Sequence, residues 1–300
     1  MTRIVVGVDG SAAGRAALDW ALRESVARAV PLLAVRAWLS PAFGHYYPEG
    51  SDLAGHESES SLAAQHLAEE QVKLACERVP GAERVDVTAV AVMGTPAHVL
   101  LAAAEGAVLL VVGSRSEGVL SRLVLGSVSA AVLHHAHCPV AVVPASPASP
   151  ATPASPATPA IDGAVGRVLV GLDHSDAAGR AFTVAIDVAR VHGAVLVPVH
   201  VHGPIGSRSG TGAHDPVGLE VSDRRSLLTQ AQAHGAGDLL VEPEVVTGHA
   251  AAVLLEMTRP GDVLVVGSRG RGGFRGLLMG STSSQCAQHA TCPVVVVRDS

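Results

Sequence analysis

The sequence predicts an α/β fold built twice: two doubly wound, five-stranded parallel-sheet domains in one chain of 300 residues. Three observations predict it. Short apolar runs alternate with amphipathic stretches, the pattern of a parallel sheet covered by helices on both faces. Sequence from the first half recurs in the second. A segment punctuated by proline separates the two halves.

The repeat is exact enough to number. Val6-Gly7-Val8-Asp9-Gly10-Ser11 returns as Val170-Gly171-Leu172-Asp173-His174-Ser175, an offset of 164. Val111-Val112-Gly113-Ser114-Arg115 returns as Val265-Val266-Gly267-Ser268-Arg269, and Cys138-Pro139-Val140 as Cys292-Pro293-Val294, both at 154. One deletion of ten residues, between the second strand and Gly248, accounts for the change. Domain 1 is read as 1–144, a linker as 145–160 and domain 2 as 161–300. The linker carries proline at 147, 150, 153, 156 and 159. That period of three is the turn of a polyproline II helix, and with no basic residue flanking it the segment reads as a spacer.

Within the first repeat, Arg3 to Val8 is an apolar run that ends at a glycine turn, hence a buried strand. A helical stripe at 17, 18, 21, 22 and 26 places a helix from Ala13 to Ala29, stopped by Pro31. Strands follow at Leu32–Ala37, Val85–Val92, Val108–Val112 and Pro139–Val143. Helices fall between them at Ser61–Arg78, Pro96–Ala104 and Ser127–Ala136. Pro96 suits a first turn, where no N–H is needed. The second repeat gives strands at 167–172, 195–201, about 241–247, 263–267 and 293–297.

Composition narrows the function. Apolar residues make up 48% but aromatics 2%, so the cores are aliphatic. The net charge is −6 and no basic block occurs, which argues against a nucleic-acid partner. Four cysteines without a CxxC pair, no leader-like N-terminus and no run of ~20 apolar residues place the expected protein in the cytoplasm, with no membrane partner. Lys73 is the only lysine and lies far from either glycine-rich loop, so a P-loop NTPase is excluded. The first turn also lacks the dinucleotide-binding G-x-G-x-x-G.

In an open parallel sheet, ligands sit at the carboxyl ends of the strands where their order reverses. There the second repeat has a glycine-rich loop, Gly267 to Gly276, leading to Gly280-Ser281 at a helix start. Glycines let backbone N–H groups approach an anion, and the helix N-terminus adds unpaired donors. Together these make a phosphate cradle.

Gly267-x2-Gly270-x9-Gly280-Ser281, the openings VVGVDGS and VLVGLDHS, and the closings HCPVAVV and TCPVVVV resemble the universal stress protein family over nearly the whole chain outside the linker. The resemblance implies strand order 3-2-1-4-5, ATP between the ends of the first and fourth strands, and dimers joined through the fifth strands, within or between chains. Carried over by position, it implies contacts from Asp173, Val199, Val266, Gly267, Arg269 and Gly270, with Gly280, Ser281, Thr282 and Ser283 at the phosphates. The matching first-repeat positions are Asp9, Val35, Val112, Gly113, Arg115, Ser116, Gly126, Ser127, Val128 and Ser129.

The sequence departs from the family pattern at two places. Ser116 replaces the glycine matched by Gly270. If that position needs a left-handed backbone, serine there costs on the order of 1–2 kcal/mol. His249-Ala250 replaces Thr95-Pro96, a change expected to touch a helix start rather than the ligand. Other candidates carry less. The run His134-His135-Ala136-His137-Cys138 reads as histidines at a helix C-terminus rather than a metal site. Tyr46 and Tyr47 either cover an adenine or are solvated loop residues. Asp9 and Asp173 are helix caps or ligand contacts.

No serine–histidine–acid or paired-carboxylate arrangement stands out. The function the resemblance implies is a nucleotide-dependent stress-response sensor binding ATP, with or without Mg2+, and at most slow hydrolysis or self-phosphorylation. The rival is a tandem scaffold of the same fold that binds partners without nucleotide in one or both domains. Ser116 and the loop charges (Arg269, Arg271 and Arg275 against Arg115, Arg122 and Glu117) predict tighter ATP binding in the second repeat.

Overall fold

The computed structural model describes residues 2–40, 53–114, 125–145, 165–203, 216–270 and 279–298. Two compact units divide the chain at Ser146/Pro147. The prolines of the linker, Tyr46 and Tyr47 lie outside the described residues.

Unit 1 runs β1 (Ile4–Gly7), α1 (Ala12–Arg28), β2 (Leu32–Trp38), α2 (Leu53–Arg78), β3 (Val87–Met93), α3 (Pro96–Ala103), β4 (Leu109–Gly113), α4 (Ser127–His135) and β5 (Val140–Val143). Unit 2 runs β6 (Arg167–Leu172), α5 (Asp176–His192), β7 (Val195–His202), α6 (Pro216–Ala233), β8 (Glu244–Thr247), α7 (Ala250–Met257), β9 (Asp262–Gly267), α8 (Ser281–His289) and β10 (Val294–Val297). Every strand pairing within each unit is parallel. The order is β3-β2-β1-β4-β5 in unit 1 and β8-β7-β6-β9-β10 in unit 2, the expected 3-2-1-4-5 twice. Ile4 sits opposite both Leu32 and Leu109, so the chain reverses its winding between β1 and β4 and opens a crevice at their carboxyl ends.

The strands hold the cores. Ile4, Val5 and Val6 of β1 and Val168, Leu169 and Val170 of β6 have no solvent exposure. With so few aromatics, Phe182 of α5 is the largest fully buried side chain among the described residues. The first helix of each unit starts at a serine cap. The Ser11 Oγ accepts from the Gly14 N–H at 2.9 Å, and the Ser175 Oγ from the Ala178 N–H at 3.1 Å.

Two boundaries differ most from the sequence expectation. Helix α2 begins at Leu53, not Ser61. The stretch 53–60 lacks an apolar stripe, but the Ser40 hydroxyl donates to Glu57 and anchors that early turn. Strand β8 is confined to Glu244–Thr247, with an isolated bridge at Val241. Pro243, between them, has no N–H to give the ladder. The deletion in the second repeat falls largely in one helix, since α2 has 26 residues and α6 has 18.

All four cysteines are free thiols. Burial pushes the Cys286 thiol up to about 12 and the Cys292 thiol up to about 11. Burial also raises Cys138 and Cys76, the last only half-buried. Because the thiolate is the reactive form, Cys286 and Cys292 stay inert toward alkylating reagents at pH 8 until the chain unfolds. Timed alkylation with mass mapping checks this; labelling of Cys286 in the native protein at the rate of Cys76 refutes it.

Candidate functional site

The crevice of unit 2 is built from its first turn outward. After β6, the Asp173 Oδ1 accepts from the Ser175 N–H at 3.1 Å and from the Ser175 hydroxyl at 2.6 Å. The aspartate is thus not the helix cap; it orients the serine that is. Across the crevice, Gly267 ends β9 against the first turn of α5. A Cβ there would stand 2.9 Å from the Ala177 carbonyl carbon, so glycine is required for helix and strand to meet.

The glycine-rich loop leaves and returns at one point. The Ser268 carbonyl accepts from the Gly280 N–H at 2.7 Å and from the Ser283 hydroxyl at 2.9 Å. The Ser283 hydroxyl is therefore committed to the backbone, and what it presents to the crevice is its N–H. Gly280 caps α8 with extended backbone and without a side-chain bond, leaving the first-turn donors of Ser281, Thr282 and Ser283 for a ligand.

Gly270 has a different basis from the one its sequence implied. Its φ is not among the left-handed values, so backbone strain is not the constraint. A Cβ on Gly270 would lie 2.3 Å from the Asp173 Oδ2. The glycine makes room for a carboxylate.

These groups enclose a cavity of about 520 Å3. All ten second-repeat residues named from the sequence line it: Asp173, Val199, Val266, Gly267, Arg269, Gly270, Gly280, Ser281, Thr282 and Ser283. Sequence reasoning passed over Val201, Leu254 and Met279, which with Ala250 complete the apolar wall. Nothing but their apolar character marked them. Arg269 is the one cation among the described lining residues, and Arg298 has its pKa lowered, first by burial and then by the Arg269 charge. This rim of the cavity favours an anion.

Both units also agree with what is known of other chains. The model of the universal stress protein family matches residues 1–144 and again residues 165–298. The chain belongs to the universal stress protein family, as a tandem of two such domains. A universal stress protein of Mycolicibacterium smegmatis is 33% identical, the match spanning 98% of this chain and 96% of that one. One from Mycobacterium tuberculosis is 31% identical over 99% and 97%. In fold, the chain resembles the crystal structure of a universal stress protein from Archaeoglobus fulgidus, with TM-score 0.66 and 20% identity, covering 99% of this chain.

The two universal stress protein domains differ at the site. In unit 1 the crevice holds a cavity of about 100 Å3, lined by Asp9, Val35, Val112, Gly113, Val128 and Ser129 among others. Gly126 and Ser127 are not in its lining, and Arg115 and Ser116 lie outside the described residues. The Ser129 hydroxyl is bound to the Gly113 carbonyl at 2.6 Å. Asp9 orients Ser11 as Asp173 does Ser175, but its Oδ1 lies where a Cβ of Gly14 would come within 2.2 Å. Unit 2 has Ala178 there and clears its carboxylate at Gly270 instead.

The exchange of Thr95-Pro96 for His249-Ala250 corrects a further expectation. Both helices start alike, each with an extended cap residue and no side-chain bond, and each is eight residues long. The change bears on the cavity instead, because Pro96 lines the smaller one and Ala250 the larger.

Among the described residues, the His134–Cys138 run gathers no trio of close metal-ligand atoms. A different group does: His200, His202 and Asp223. Sequence reading passed over it because Asp223 is twenty-one residues from His202 and meets it only through the fold.

Proposed function

We propose that the second domain binds ATP, with or without Mg2+, and that the chain acts in the cytoplasm as a nucleotide-dependent stress-response sensor. The observation that carries this reading is the uncapped start of α8 opening into a cavity of about 520 Å3, within the ~300–1,000 Å3 of small-molecule sites. The N–H groups of Ser281–Ser283 and the Arg269 guanidinium meet the phosphates. Val199, Val201 and Val266 offer apolar surface to a base, and Asp173 accepts from a ribose hydroxyl. Asp173 is the one carboxylate among the described lining residues, and it already holds Ser175. That arrangement favours holding a nucleotide over turning it over.

The cavity of about 100 Å3 favours a second reading for the first domain: it keeps the fold as an interaction scaffold and takes nucleotide weakly. We also propose self-association through the fifth strands, within or between chains. Val140–Val143 and Val294–Val297 are apolar and form the outer strand of their own sheets. Such edges pair readily.

Three outcomes follow from this reading. Gly280→Asp places a carboxylate where phosphate would approach and abolishes ATP binding by the second domain, read by equilibrium dialysis of the full chain; unchanged affinity with an intact circular dichroism spectrum refutes the cradle. The same measurement on Gly126→Asp retains the tighter binding, because the two sites differ at least tenfold, or about 1.4 kcal/mol. Equal loss in both variants refutes the inequality. Paired fifth strands protect the outward amides of Val140–Val143 and Val294–Val297 from hydrogen exchange, and fast exchange along both strands rules the pairing out.

A further inference from the structure

We propose that His200, His202 and Asp223 form a binding site for a divalent transition-metal cation of the zinc class, separate from the nucleotide cavity. Each residue offers one donor atom, and the three atoms lie within 4.8 Å of one another.

The chemistry of each group fits. The Leu172 carbonyl can only accept, so the 2.9 Å contact to the His200 Nδ1 puts a proton on that nitrogen. The Nε2 of His200 then carries the lone pair. A histidine held by a backbone carbonyl through one nitrogen while the other faces outward is the usual arrangement of a metal ligand. The His202 Nε2 stands 2.7 Å from the Asp223 Oδ2, so a carboxylate is already beside the second imidazole. Around zinc, with bonds of about 2.0–2.1 Å, donor atoms sit ~3.3 Å apart. Reaching that spacing requires side-chain rotation of the half-buried His202 and Asp223, 23% and 33% exposed.

The site is built on rigid elements. His200 and His202 alternate along β7 with Val199 and Val201, which line the nucleotide cavity. Successive strand side chains point to opposite faces, so the histidines stand on the other side of the sheet, where α6 supplies Asp223. A third imidazole is at hand. His174 follows Asp173 in the first turn, its ring centroid 5.0 Å from that of His200. It holds a left-handed backbone with φ of 63°, where the first repeat has Gly10. The first repeat carries Arg36 and Trp38 at the positions of His200 and His202, so this donor set belongs to the second domain alone.

The test uses the untagged full chain, stripped with a chelator and desalted. Zinc is titrated against a chromophoric chelator. The expected result is one zinc per chain, held at least tenfold more tightly than by His200→Ala or by Asp223→Asn. Cobalt provides a second readout, its visible absorption bands appearing in the wild type and disappearing in both variants. Should His200→Ala fail to fold, Asp223→Asn, altered at a half-exposed position, carries the comparison. Absence of a stoichiometric zinc in the wild type, or binding by Asp223→Asn equal to the wild type, overturns the proposal.

Discussion

The bond from an aspartate at the end of the first strand to a serine two residues on sets the geometry of each domain. In unit 2 the Asp173 Oδ1 takes both the N–H and the hydroxyl of Ser175. The serine oxygen, fixed in this way, accepts from the Ala178 N–H and starts α5. The start of α5 in turn fixes how closely β9 approaches, which makes Gly267 necessary. One hydrogen bond to a charged acceptor contributes about 1.5–3 kcal/mol. Its larger effect is positional, because the carboxylate so placed needs room beside it, and where that room is found decides which neighbouring residue lacks a side chain.

That last choice separates the two copies. Unit 1 gives the space on the helix, at Gly14, and unit 2 gives it on the loop, at Gly270. Alanine stands at position 178 where the first repeat has Gly14, and glycine at position 270 where the first repeat has Ser116. A duplicated site can therefore keep its aspartate, its serine cap and its strand order while its cavity changes several-fold in volume. The pair Pro96 and Ala250 moves in the same direction, since the wall of the unit 1 cavity has a ring at the position where the wall of the unit 2 cavity has a methyl group. Divergence has acted on the walls and spared the frame.

The frame was the part legible in the sequence. Valine-rich runs followed by glycine fix strands and their ends, and a repeat read at two offsets locates its own deletion. The ten second-repeat positions drawn together by the family resemblance line one cavity because they all lie at carboxyl ends of β6, β7 and β9 or at the start of α8. What could not be read was anything that depended on distance across the fold. Gly270 looked like a backbone requirement and is a matter of space beside Asp173. Helix α2 begins earlier than its apolar stripe because Ser40 holds Glu57. His249-Ala250 looked like a change in a helix start and is a change in a wall.

The histidines of β7 make the same point from the other side of the sheet. A strand that reads Val199-His200-Val201-His202 is an alternating strand, the pattern of one face buried and one face polar. In most of this sheet both faces are apolar, as in Val263–Val266 of β9. The polar face of β7 lies at the carboxyl end, where β6 stops at Leu172 and leaves a carbonyl facing His200. The helix opposite, α6, is the element shortened by the deletion. Its Asp223 bonds to His202 and its Arg224 to Glu244 of β8, so polar contacts tie α6 to the strands beside it. Adjacent residues on one strand thus serve two chemistries, apolar contact on one face and imidazole donors on the other. They can change independently because the sheet stands between them.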